Sequence, residues 1–125
     1  MVFNDYPILP GKRRSLSADL VVLNDAGSVK VAAELKHKPS HQRTDICRSE
    51  LPVISWDKEG AQDVTRVHEF IDKKAAQVAY AIFIDGGGYF RHRPPHAGRE
   101  WRDWPANQPG AFSPSVLWAC AKANG

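Results

Sequence analysis

The chain has 125 residues and a mass of 13.9 kDa, so a single domain spanning 1–125 is expected. With 42% hydrophobic and 25% charged residues it holds enough apolar material for a packed core, which excludes wholesale disorder and low-complexity architectures. No apolar run approaches the roughly 20 residues of a membrane span, and the opening MVFNDYPILPGKRR lacks a signal-peptide core, so a soluble, cytoplasmic protein without a membrane partner is expected. Cys47 and Cys120 are the only cysteines and form no CxxC pair, which argues against a disulfide scaffold. Lys and Arg outnumber Asp and Glu by 17 to 14, and the resulting net charge of +3 permits nucleic-acid binding without demanding it.

The first strand signal is SADLVVL, residues 17–23, a short run rich in β-branched residues that begins near an acid. Asn24-Asp25-Ala26-Gly27 is a turn signal, and VKVAAELKHK follows with period-two alternation. Val29, Val31, Ala33 and Leu35 fall on one face and Lys30, Ala32, Glu34 and Lys36 on the other. The two segments predict an antiparallel hairpin. Pro39 and SHQRTDICRSE imply a loop, and LPVISW (51–56) fits either a short strand or an apolar turn. From Asp57 or Gly60 to Lys74 the sequence predicts a helix, with Val64, Val67 and Ile71 inward and Asp63, Arg66, Glu69 and Lys73 outward. QVAYAIFI (77–84) is nearly continuous apolar sequence, as expected of a central strand. Beyond it, residues 86–125 form an arm rich in Gly, Pro, Arg and aromatics, with a short strand expected at Tyr89–Arg91. SVLWACAK fits a closing strand or a last helical turn.

The chemistry is concentrated in the hairpin. Residues two apart on a strand project from the same face, so Glu34 and Lys36 stand side by side. A four-residue turn pairs Leu23 with Ser28 and sets Asp19 opposite Ala32, on the face of Glu34 and Lys36. A five-residue turn sends it to the wrong face unless a bulge corrects the register. Two carboxylates with a carbonyl oxygen suit a hard divalent cation such as Mg²⁺. Such an ion polarises a phosphodiester and activates water, and a neighbouring lysine can orient or deprotonate that water and stabilise the charge that develops on phosphorus.

Asp19, fourteen intervening residues and then Glu34-Leu35-Lys36 resembles the active-site motif of the PD-(D/E)XK nuclease superfamily. The resemblance covers about residues 13–85. It implies an α/β, restriction-endonuclease-like fold: a mixed β-sheet with a flanking helix. It implies Asp19, Glu34 and Lys36 as catalytic residues, and Asp19, Glu34 and the backbone carbonyl of Leu35 as ligands of Mg²⁺ or Mn²⁺. The implied activity is metal-dependent endonucleolytic hydrolysis of DNA. Two features depart from the family pattern. Ala18 replaces the proline often found before the Asp, and YPILPG is a poor sequence for the family's usual N-terminal helix. These departures leave three expectations: a minimal variant of the fold, a fragment, or a chain whose fold is completed by a homodimer or a partner subunit. The alternative from another class is a non-catalytic nucleic-acid-binding or assembly module with a degenerate nuclease-like fold.

Basic residues flank the motif. Arg13 and Arg14 precede it, Lys38 follows it, and Arg91, Arg93, Arg99 and Arg102 fall within twelve residues of the arm. They are the expected phosphate contacts on DNA, with Tyr89, Trp101 or Trp104 available to stack on bases. The competing expectation is that the arm packs on the body through its tryptophans. His37 with His41, and His92 with His96, are four apart, but Pro39, Pro94 and Pro95 forbid the helices that would align them on zinc. Gly86-Gly87-Gly88 precedes no helix start and no Lys-Ser/Thr pair, so it is a turn rather than a phosphate-binding loop.

Overall fold

The computed structural model describes residues 1–9, 16–38, 56–103 and 115–123. Among these, six strands, β1 (Val2–Leu9), β2 (Leu16–Leu23), β3 (Val29–Lys38), β4 (Val78–Asp85), β5 (Glu100–Asp103) and β6 (Ser115–Lys122), form one sheet, crossed by one helix, α1 (Trp56–Asp72). Their order in the sheet is β1-β2-β3-β4-β6-β5. β3 and β4, joined through α1, are parallel, and every other neighbouring pair is antiparallel. The architecture is therefore mixed α/β. No helix among the described residues is long and apolar enough to cross a membrane.

The hairpin forms as expected, with a different register. Asn24 Oδ1 accepts the backbone N–H groups of Ala26 and Ser28, and Gly27 takes the left-handed φ of 81° that the turn requires. Leu23 pairs with Val29, so five residues lie between them, and Val22 then pairs with Val31. Lys30 is the extra residue of a bulge. From there the ladder runs Val21–Ala32 and Leu20–Ala33, which sets Asp19 across from Glu34 rather than from Ala32. The bulge restores the parity that a five-residue turn alone would lose.

α1 covers one face of the sheet. Ala32, Ala79, Ala81, Ala119 and Ala121 make a low, buried floor on which Val67 and Phe70 pack, together with Val21. Small floor residues let the helix axis approach closely, and the larger side chains then fill the remaining space. The helix ends in a left-handed residue, Lys74 (φ 56°). Its N–H bonds Ile71 O, and Ala75 N–H bonds Phe70 O, which is the Schellman pattern that satisfies last-turn carbonyls.

Three elements differ from expectation. β1 has no counterpart among the expected strands. It is an edge strand, where Pro7 is tolerated because it need not donate to a ladder on its outer side, and the register shifts between Pro7 and Leu9. Tyr89–Arg91 is a turn rather than a strand: buried Asp85 accepts the N–H groups of Tyr89, Phe90 and Arg91 and bends the chain there. The arm is partly regular, since Glu100–Asp103 forms β5 against β6, while SVLWACAK takes the first of its two expected forms, a strand.

Candidate active site

β2 and β3 bring Asp19, Glu34 and Lys36 onto the face that α1 covers. Glu34 and Lys36 are aligned with Ala81 and Phe83 of β4 on that face. Asp19 Oδ2 accepts the N–H of Leu35 at 2.7 Å, which ties the first acid of the motif to the backbone of the second segment. The three side chains of the motif are thus brought together. Lys38, two residues beyond Lys36, is half-buried at the same face and aligned with Asp85.

α1 contributes two more charges. Arg66 Nε lies 3.3 Å from Glu34 Oε1, and its Nη2 donates to the Ser17 carbonyl at 2.9 Å. Glu34 Oε1 and Arg66 Nε do not align into a hydrogen bond, so the contact is ionic. Asp63 Oδ1 lies 3.5 Å from Lys36 Nζ. Asp63 is 8% exposed, on a buried stripe with Gly60, Val67 and Phe70, and not on the outer face that the helical pattern predicts. Sequence reasoning identifies neither Asp63 nor Arg66 as a site residue. The one available signal is their position three apart on a helix that must lie over the motif strand.

The electrostatics of Glu34 follow from this packing. Burial raises its pKa from 4.5 to about 7; the nearby carboxylates of Asp19 and Asp63 push it up as well, while Arg66 and Lys36 pull it down. With Glu34 itself, three acids face Lys36 and Arg66 there, and Arg99 acts on Asp63 from the side of the arm, so three charges of each sign meet in a partly buried space. The carboxylate oxygens are the hard donors a divalent cation takes, and a cation at Glu34 Oε1, which has no hydrogen-bond partner, would have to displace its ionic contact with Arg66. Asp19 and Glu34 would hold it, with a backbone carbonyl of β3 as a third oxygen. Among the described residues no three His, Cys, Asp or Glu side chains gather as a complete metal cluster, so carbonyl and water oxygens would fill the other positions.

The basic residues separate. Arg91 and Arg93 are exposed, and the Arg93 guanidinium lies 5.9 Å from the Trp56 ring centroid and 5.4 Å from that of Phe90. Arg99 is only 7% exposed and bonds the carbonyls of Gly60 and Leu117, so it is built into the body rather than offered to a phosphate. Burial lowers its pKa while Asp63 acts in the opposite sense. Arg102 pairs with Glu100 and stacks 3.9 Å from the Trp118 ring centroid. Its strand partner is Val116, and Trp118 stacks on Tyr80, so Arg102 belongs to the sheet face opposite the motif. Arg13 and Arg14 lie outside the described residues, as does Trp104.

The arm packs through its aromatics. Trp56, the first residue of α1, stacks nearly parallel to Phe90 and to Trp101, at 5.3 and 5.7 Å, and meets the His96 ring at 4.5 Å. His96 Nε2 donates to the Trp56 carbonyl. His96 closes on Gly60 so tightly that a Cβ there would overlap the imidazole ring. Compared with protein-family models, curated proteins and solved structures, the chain matches none of them.

Proposed function

We propose that this protein is a metal-dependent deoxyribonuclease of the PD-(D/E)XK kind, using Mg²⁺ or Mn²⁺ to hydrolyse phosphodiester bonds. The observation that carries the reading is the convergence of Asp19, Glu34 and Lys36 on one sheet face, with Asp19 bonded to the Leu35 N–H and set across from Glu34. When bound, the metal supplies Lewis acidity and an activated water. The chain's own groups do the rest. Asp19 and Glu34 would hold the ion at this face of the sheet. Lys36, with its side chain one-third exposed beside them, reaches the incoming phosphate and orients the attacking water. Lys38, Arg91 and Arg93 supply positive charge for the backbone of the nucleic acid.

A second reading, a non-catalytic binding or assembly module, is favoured by the pairing of both motif residues with α1, Glu34 with Arg66 and Lys36 with Asp63. A plasmid-nicking assay with Mg²⁺ or Mn²⁺ separates the two. The nuclease reading expects nicking by the parent chain and its loss in Glu34→Ala and Lys36→Ala. An inert parent, or variants that nick as well as the parent, would leave the binding module as the better account.

A further inference from the structure

We propose that Asp63 is a positioning residue for Lys36, holding its ammonium at the Asp19–Glu34 face; the catalytic sense of this rests on the nuclease reading above. An acid in the buried stripe of a helix is an expensive choice for stability alone. Removing a carboxylate from water costs several kcal/mol by order of magnitude, and an apolar residue of similar size at such a position is often neutral or better. Asp63 nonetheless occupies the stripe of Gly60, Val67 and Phe70, 8% exposed, with its Oδ1 3.5 Å from Lys36 Nζ.

The carboxylate is held on a rigid support. One turn before it, the Gly60 carbonyl accepts a bond from Arg99, whose other nitrogen bonds Leu117 O of β6. At the head of the helix His96 bonds the Trp56 carbonyl, and Trp56 is stacked between elements of the arm. Arg99 also acts on Asp63 electrostatically from within the body. The lysine is the reverse case. It is a point charge on a flexible four-carbon stem, with its side chain one-third exposed. A fixed carboxylate converts that mobile ammonium into a directed one. Positioning of this kind matters most in a reaction whose geometry is demanding, where a misplacement of about 1 Å can cost a hundredfold in rate.

Two measurements test the proposal. The first needs no activity: ¹⁵Nζ and ¹³Cε relaxation of Lys36 in the full chain. The expected result is a Lys36 side chain more ordered than the exposed Lys30 or Lys74, and loss of that order in Asp63→Asn. A Lys36 already as mobile as those lysines in the parent overturns the proposal, even where Asp63→Asn fails to fold. The second is plasmid nicking by Asp63→Asn. It should lower kcat about tenfold or more with KM unchanged. A folded Asp63→Asn that nicks as fast as the parent, or whose loss falls on KM instead of kcat, overturns it. An inert parent with an Asp63-dependent Lys36 defeats the nuclease reading alone and leaves the positioning of Lys36 standing.

Discussion

Replacing Glu34 by Gln should stabilise the protein at alkaline pH and leave it nearly unchanged in acid. Burial, the main cause, lifts the Glu34 pKa from 4.5 to about 7 in the fold. Below 4.5 the carboxyl is protonated in folded and unfolded chains alike, and stability is independent of it. Between 4.5 and 7 only the folded chain keeps the proton, so stability falls as pH rises. Above 7 the fold carries a charged, 7% exposed carboxylate, and the full penalty is reached. At about 1.4 kcal/mol per pH unit this amounts to about 3 kcal/mol. Gln keeps the shape without the charge, and Arg66 keeps its bond to Ser17 O. Urea unfolding of parent and Glu34→Gln at pH 8 should therefore differ by about 3 kcal/mol in favour of the variant, and at pH 5 by under about 1 kcal/mol. A gap that does not change with pH, or a parent more stable than the variant at pH 8, would refute the assignment of Glu34 as a buried acid whose burial outweighs the charges of Arg66 and Lys36.

The same linkage gives metal binding a proton signature: titration with Mn²⁺ at pH 6.5 should release protons, seen as a buffer-dependent heat, and Glu34→Gln should abolish the release. Metal should also raise the melting temperature of the parent, with the rise absent in Asp19→Asn. Gly60→Ala should destabilise by about 1–3 kcal/mol, because its Cβ would overlap the His96 ring, and His96→Ala should restore most of the stability in thermal unfolding. In DNA binding, Arg91→Ala with Arg93→Ala should flatten the dependence of log K on log salt by about 0.9 for each phosphate these arginines neutralise. Arg102→Ala should leave that slope unaltered, and Arg99→Ala should show itself as a lower melting temperature, since its partners are the carbonyls of Gly60 and Leu117.

The hairpin, α1 and β4 are legible in the sequence because each has a period or a composition that local physics imposes. VKVAAELKHK alternates, which marks the strand, although the buried face beneath α1 is that of Ala32 and Glu34 while Leu35 of the apolar set is 44% exposed. Val64, Val67 and Ile71 recur at helical spacing, and VAYAIFID is nearly continuous apolar sequence. The bulge at Lys30 is not legible, because an extra residue in a ladder leaves no compositional mark when the turn before it can take either four or five residues. β1 is obscured by Pro7 and Pro10, which signal turns in isolation, yet an edge position removes the objection to proline. β5 lies among Gly, Pro and Arg and owes its regularity to β6, a partner that local sequence does not reveal.

The motif itself is legible because its three residues are constrained by one strand pair, where parity alone decides which side chains share a face. Its surroundings depend on contacts distant in sequence. A charged residue on an amphipathic helix is expected to face water, and Arg66, half-exposed, partly obeys. Asp63 does not, because Lys36 lies 3.5 Å away and Arg99 of the arm acts on it as well. Both are separated from it by more than 25 residues, and each of these charges offsets the cost of burying the others. Arg99 illustrates the same point from the other side. Within the arm it resembles Arg91 and Arg93, but the two carbonyls that bind it belong to α1 and β6, so its place is set by the assembled sheet and helix. The three residues of the motif lie on one strand pair and are local in the sequence, whereas the charges packed against them are brought together only by the fold.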